Sequence, residues 1–204
     1  MIYIIITCCL LDQDYEIRKM QYINGIQTLI NYCNNKDNIK IVIVENTGKQ
    51  SSFLDDFKLP VLYTNSNLIQ TANKGIKELT DVNLCIHNFH IKDDDFIVKM
   101  TGRYIITNPC NFFDKLNDIY NDVDCIIRYG SYQEIGCLYK KPDCITGLIG
   151  MRCKNVKNII TPGEEENVEW EWAKESMKIS DEKVYILSEL GVYIAPGSNY
   201  YFYV

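Results

Sequence analysis

The chain has 204 residues, which suits one α/β domain and falls short of two domains at roughly 150 residues each. Hydrophobic residues make up 47% and charged residues 24%, a globular composition that excludes a disordered or fibrous chain. With 27 acidic and 21 basic residues the net charge is −6, so the overall field opposes nucleic acid but leaves open a local basic pocket for one phosphorylated small molecule.

No apolar run reaches the roughly 18–20 residues needed to span a bilayer. The apolar start, Met1 to Leu11, lacks a basic leader and a small-residue cleavage site, and Asp12 and Asp14 follow it; it reads as a buried strand and not as a signal peptide. A cytoplasmic protein is expected, and its nine cysteines, odd in number and without C-x-x-C spacing, read as reduced core residues.

Ile2 to Cys9 is a continuous β-branched run, the pattern of a strand buried on both faces. Asp14 to Cys33 carries Ile17, Met20, Ile23, Ile26, Leu29 and Ile30 at helical spacing. Ile39 to Val44 reads as a second strand, Ser51 to Phe57 as a short turn capped by Ser51 or Ser52, and Val61 to Thr64 as a third strand. A helix is predicted from Leu68 to about Leu84, capped by Asn65 or Asn67, and a fourth strand from Phe96 to Met100. The second half is less regular: a helix over Asn111 to Tyr120, strands over Cys125 to Tyr129 and Cys144 to Met151, a helix over Val168 to Lys178, and an extended aromatic tail from Tyr200 to Val204 packed on the core. Alternation of strands and helices predicts a single α/β domain, a mainly parallel mixed sheet flanked by helices. About residues 1–104 are expected to form a nucleotide-binding half and about 105–204 an acceptor-side half.

In such sheets ligands bind outside the carboxyl ends of the strands, so polar clusters can be ranked by position. Thr7 to Asp14, Glu45-Asn46, Thr64-Asn65 and Thr101-Gly102-Arg103 follow strands. Neither a G-x-G-x-x-G nor a P-loop is present. Arg103 can hold phosphate oxygens bidentately, and Gly102 permits close backbone approach; the bland alternative is an arginine paired to a glutamate. Asp93 and Asp95 are the candidates for Mn²⁺ or Mg²⁺, but they precede their strand and belong at the amino end of the sheet, where a solvated turn is the better reading. His87 and His90 lack a third ligand and read as ordinary surface or core residues. The run Glu164 to Trp172 reads either as acidic capping of a helix or as a general base beside an apolar platform, Trp170 or Trp172, for a sugar ring.

These residues resemble a known family. Phe96-Ile97-Val98-Lys99-Met100-Thr101-Gly102-Arg103-Tyr104 is similar to the K-x-T-G-R-Y segment of small bacterial and large-DNA-virus glycosyltransferases of the GT-A type, the nucleotide-diphospho-sugar transferase fold. Thr71-Ala72-Asn73-Lys74-Gly75 resembles the segment that opens the donor-side helix of that fold. Arg18 with Tyr22, Ile43 to Asn46, and Ile186 to Val192 followed by Ile194-Ala195-Pro196 are similar to other parts of it.

The resemblance implies transfer of a hexose or deoxyhexose from a nucleoside-diphosphate sugar to an acceptor hydroxyl, as in glycan synthesis. It implies Thr7 and Glu45 on the nucleoside, Arg18, Asn73, Lys74 and Gly75 along the donor, Lys99, Thr101 and Gly102 beside it, and Arg103 on the diphosphate. Glu169, then Glu171, stand where such an enzyme holds its base. The family usually carries Asp-x-Asp where this chain has Thr101-Gly102-Arg103, so either Arg103 supplies the metal's charge or Asp93 and Asp95 provide a metal site. A non-catalytic binding module on the same fold and a nucleotidyltransferase are the alternatives.

Overall fold

Every residue of Ile2–Cys8 (β1) is buried, and the alternation of its side chains explains why the run is β-branched: Ile2, Ile4 and Ile6 enter the core on one face of the sheet, Tyr3 and Ile5 the core on the other. The computed structural model describes residues 1–11, 13–34, 36–134, 136–194 and 201–204; Asp12, and Ala195, Pro196 and Tyr200 of the tail, lie outside the described residues. Ile39–Glu45 (β2) and Val61–Tyr63 (β3) extend the sheet on one side of β1, and Phe96–Thr101 (β4) joins the other, all four parallel. Ile105–Ile106 (β5) leaves this sheet. Cys125–Ile127 (β6), Leu148–Arg152 (β7) and Val184–Ile186 (β8) complete it in the order β3-β2-β1-β4-β7-β6-β8, with β7 antiparallel to both neighbours.

Tyr15–Cys33 (α1) and Asn111–Ile119 (α3) cover one face through Tyr22, Ile26, Leu29, Phe112, Phe113 and Leu116. Lys74–Asn88 (α2), Cys153–Val156 (α4) and Val168–Met177 (α5) cover the other through Leu79, Val82, Val156, Val168 and Trp172. The mainly parallel α/β sheet between two helical layers is the architecture the strand–helix alternation predicts. All nine cysteines are free thiols and eight are buried. No helix among the described residues is long and apolar enough to cross a membrane.

Three boundaries differ from the sequence expectation. The second long helix begins at Lys74 and not at Leu68, because Ser66–Leu68 closes a separate 3₁₀ turn and Asn73 is the cap, its Oδ1 accepting from Gly75 N at 2.9 Å and Ile76 N at 3.4 Å. The strand expected from Cys144 begins at Leu148, Cys144 contributing only an isolated bridge to Tyr129. Val192–Ile194 (β9) and Phe202–Tyr203 (β10) join β5 in a second sheet, order β10-β9-β5, whose strands of two or three residues are too short to leave a hydrophobic period. Among the described residues of the aromatic tail, Val204 alone joins the core, while Tyr201, Phe202 and Tyr203 remain exposed.

Candidate functional site

The chain lays down β1, β2 and β3 outward in one direction, then returns to the other side of β1 with β4, so the strand order reverses between β1 and β4. A crevice outside the carboxyl ends follows from that reversal. Thr7 and Thr101 are register partners at its floor, and Gly102 N donates to Thr7 O at 3.1 Å. A Cβ on Gly102 would lie 2.9 Å from Cys8 Sγ, Ile6 Cγ2 and Tyr22 Cδ1, and one on Gly25 of α1 would lie 2.3 Å from Gly102 O. The glycines therefore serve chain-to-chain packing: they press the turn after β4 onto β1 and α1, which presents Arg103 at the crevice.

A cavity of about 140 Å³ opens there. Among the described residues, four cations line it: Arg18 from α1, Lys74 and Lys77 from α2, and Arg103. None of the four is ion-paired within the described residues. Arg103 Nη1 donates to Gln21 Oε1 at 3.3 Å, while its buried Nε has no hydrogen-bond acceptor among the described residues. Lys77 Nζ donates to Asn67 O at 2.9 Å.

The cavity wall toward β2 is Asn46, not Glu45. Glu45 is fully buried, and its Oε1 accepts from Leu10 N at 3.2 Å, Thr47 N at 3.1 Å and Thr47 Oγ1 at 2.7 Å. Its carboxylate turns back to tie the loop after β1 to the end of β2. Asn46 Nδ2 donates to Asp81 Oδ2 at 2.8 Å, and its buried Oδ1 has no partner among the described residues. Burial pushes the Asp81 carboxyl above the usual carboxylate range, against hydrogen bonds from Asn46, Ser66 and Thr64 that favour its charged form.

A larger cavity of about 420 Å³ adjoins the first, the two sharing Thr101 and Glu78. Its wall includes Lys99, whose side chain is only 3% exposed and whose Nζ lies 2.6 Å from Glu78 Oε2. Glu169 lines it from α5, with Thr146 Oγ1 donating to Glu169 Oε1 at 3.3 Å. Tyr104 and Asp143 line it as well, and burial pushes both the phenol and the carboxyl up from their ordinary values.

Two of the expected donor residues position this wall without lining either cavity. A Cβ on Gly75 would lie 2.5 Å from Val168 Cβ, so glycine lets the starts of α2 and α5 meet. Asn73 caps α2 and also donates from Nδ2 to Gly163 O at 3.0 Å and Glu166 O at 2.8 Å, fastening the loop before α5. Together they bring Glu78 and Glu169 to one cavity.

Of the other expected site residues, Glu171 is buried and lies 2.5 Å from Lys174, outside both cavities. Trp172 is a core residue and Trp170 lies on the exposed side of α5, so neither forms a platform in the site. His87 and His90 are exposed at the end of α2. Asp93 and Asp95 sit at the amino end of β4, a strand length of roughly 20 Å from Arg103; Asp93 pairs with Lys157 at 2.5 Å, and Asp95 with the amino terminus at 3.3 Å. No group of three or more His, Cys, Asp or Glu among the described residues is placed to hold a metal ion. Asp93 and Asp95 thus lie at the amino end of the sheet, where their place before β4 puts them, away from the crevice.

Lys77, Glu78, Asp143 and Thr146 were not expected in the site, and Asn46 was ranked at the end of its strand without a role. Lys74, Lys77 and Glu78 do carry a signal, the i, i+3, i+4 spacing of one helix face, once the helix is started at Asn73.

No family model matches the chain, and no curated protein matches its sequence. Solved structures do match its fold. S. aureus TarS 1-349 superposes with a TM-score of 0.60 at 12% identity, over 94% of this chain and 59% of that one. The mannosyltransferase PcManGT from Pyrobaculum calidifontis, in complex with GDP-Man and Mn²⁺, gives 0.56 at 9% identity over 92% and 56%. A putative nucleotide-diphospho-sugar transferase from Desulfovibrio desulfuricans G20 gives 0.53 at 17% identity over 91% and 79%. This chain therefore has the GT-A-like fold of nucleotide-diphospho-sugar transferases, and spans 59% and 56% of the TarS and PcManGT chains.

A divalent ion such as the Mn²⁺ of the PcManGT complex does not fit the donor set of the smaller cavity. Hard cations take several oxygen ligands, mostly carboxylates. The smaller cavity offers one carboxylate among the described residues, Glu78, already paired to Lys99.

Proposed function

We propose that the protein is a glycosyltransferase that moves a hexose or deoxyhexose from a nucleoside-diphosphate sugar to an acceptor hydroxyl. The observation that carries this reading is the pair of adjoining cavities at the topological switch point, one ringed by cations and the other holding Glu169. The diphosphate lies among Arg18, Lys74, Lys77 and Arg103, with the nucleoside toward Thr7 and Asn46. The sugar reaches the shared threshold at Thr101 and Glu78, and the acceptor enters the larger cavity.

In the transfer step the acceptor oxygen attacks the anomeric carbon, and the bond from that carbon to the diphosphate oxygen breaks. The electron pair of that bond leaves with the nucleoside diphosphate, whose added negative charge is stabilised by the cations around it. The acceptor proton passes to Glu169, whose carboxylate is oriented by Thr146. Glu78, held by the buried ammonium of Lys99, borders both compartments and is placed to hydrogen-bond the transferred sugar.

The test is thermal unfolding with UDP-, GDP- and dTDP-sugars, followed by turnover measurements on any sugar nucleotide that stabilises. A ligand at a hundred times its Kd adds about 2.7 kcal/mol of stability, which a melting curve resolves. Absence of stabilisation by every sugar nucleotide at millimolar concentration refutes the reading. Stabilisation with no transfer or hydrolysis leaves a binding module.

A further inference from the structure

We infer that the protein holds the diphosphate of its donor with side-chain cations alone, without a divalent ion such as the Mn²⁺ of the PcManGT complex. The inference rests on the reading above that a sugar diphosphate occupies the smaller cavity. Arg18, Lys74, Lys77 and Arg103 come from three separate elements, so they approach an anion from several sides. Their convergence, unpaired among the described residues, in a chain of net charge −6 leaves local positive charge that an anion neutralises.

Two further details point to the same ligand. Arg103 Nε is a buried donor without an acceptor among the described residues, and a guanidinium with one nitrogen on Gln21 and another free has a donor left for a phosphate oxygen. Glu78, the carboxylate that reaches the cavity, is 2.6 Å from Lys99 Nζ. Drawing Glu78 onto a metal ion would leave a buried ammonium unpaired, so that pair resists recruitment as a ligand. When the sugar–oxygen bond breaks, the charge gained by the diphosphate falls beside groups that are already cationic, and no ion has to enter or leave with the nucleotide.

The experiment is titration calorimetry with inorganic pyrophosphate, UDP, GDP and dTDP, first in EDTA and then in MnCl₂ or MgCl₂. At least one of these diphosphates binds in EDTA, and added metal leaves its affinity unchanged or lower. Arg103→Met weakens that binding about tenfold or more. Lys74 is exposed, so Lys74→Met reports on the same charge without threatening the fold, and it too weakens binding. Binding that appears only with metal, or that is as tight in both variants as in the parent protein, overturns this inference and leaves the glycosyltransferase reading standing. Binding in neither buffer overturns both.

Discussion

The two ends of the central sheet carry charge in opposite ways. At the amino end, Asp93 meets Lys157, Asp95 meets the amino terminus, and Asp124 meets both Arg152 and Lys154, so acids and bases consume one another. At the carboxyl end, Arg18, Lys74, Lys77 and Arg103 face a cavity without an ion-pair partner among the described residues, and Arg103 Nε and Asn46 Oδ1 are buried without one. A protein gains nothing in stability from gathering unneutralised like charges, whereas a paired set costs little and gives little. Open charge therefore marks the end where a ligand belongs. A count of acidic residues, which favours the Asp93–Asp95 triplet, points to the wrong end.

The largest effect expected at the carboxyl end is catalytic. Glu169→Gln keeps the shape and the hydrogen bond from Thr146 but cannot take a proton. With a sugar nucleotide that stabilises the protein, kcat falls about 10²- to 10⁴-fold while KM for the donor stays close to its parent value. Glu171→Gln, two residues on and so about 200° round the helix, where it pairs with Lys174, leaves kcat nearly unchanged. Equal kcat in parent and Glu169→Gln protein takes Glu169 out of the chemistry.

The sequence made the first four strands legible and half-concealed the site. The buried β-branched runs of β1 and β2 and the alternation of strands with helices point to a mainly parallel sheet but leave the strand order open, and Arg103 could be placed because it follows the end of β4 by two residues. Nothing in the position of Glu45 tells that its carboxylate bends back onto Leu10 and Thr47. Lys77 and Glu78 were hidden by a helix start set six residues too early, where apolar Leu68 and Ile69 look like a first turn yet stand exposed ahead of Asn73. The small sheet of β5, β9 and β10 escaped because its pairings are set by tertiary contacts and not by local pattern.

An intermediate effect is expected from the glycines that build the carboxyl end. Gly75→Ala puts a methyl group 2.5 Å from Val168 Cβ, and Gly102→Ala puts one 2.9 Å from three neighbours. Overpacking of this kind costs about 1–3 kcal/mol, or a melting point lower by about 2–12 °C in a chain of this size. The two differ in what else they disturb. Gly75→Ala separates Glu169 from Glu78 and lowers kcat more than donor affinity, whereas Gly102→Ala shifts Arg103 and lowers donor affinity first. Melting curves together with donor titration separate the two; identical profiles refute the division of the crevice into a donor and an acceptor side.

The smallest effect belongs to the amino end. Asp93→Asn removes an ion pair whose carboxylate is 65% exposed, worth about 0–1 kcal/mol once solvent screening is allowed for. Asp95→Asn also weakens the contact to the amino terminus and the hydrogen bond from Lys92 N at 3.0 Å, and its side chain is only 13% exposed, so its loss is felt somewhat more in a melting curve. Neither change, alone or combined, alters diphosphate affinity in EDTA or in manganese. A carboxylate pair that held a catalytic metal would instead abolish metal-dependent binding when amidated. The double variant is therefore the sharpest test of which end of the sheet works, because it removes the most ligand-like acids in the chain while leaving every cation of the crevice in place.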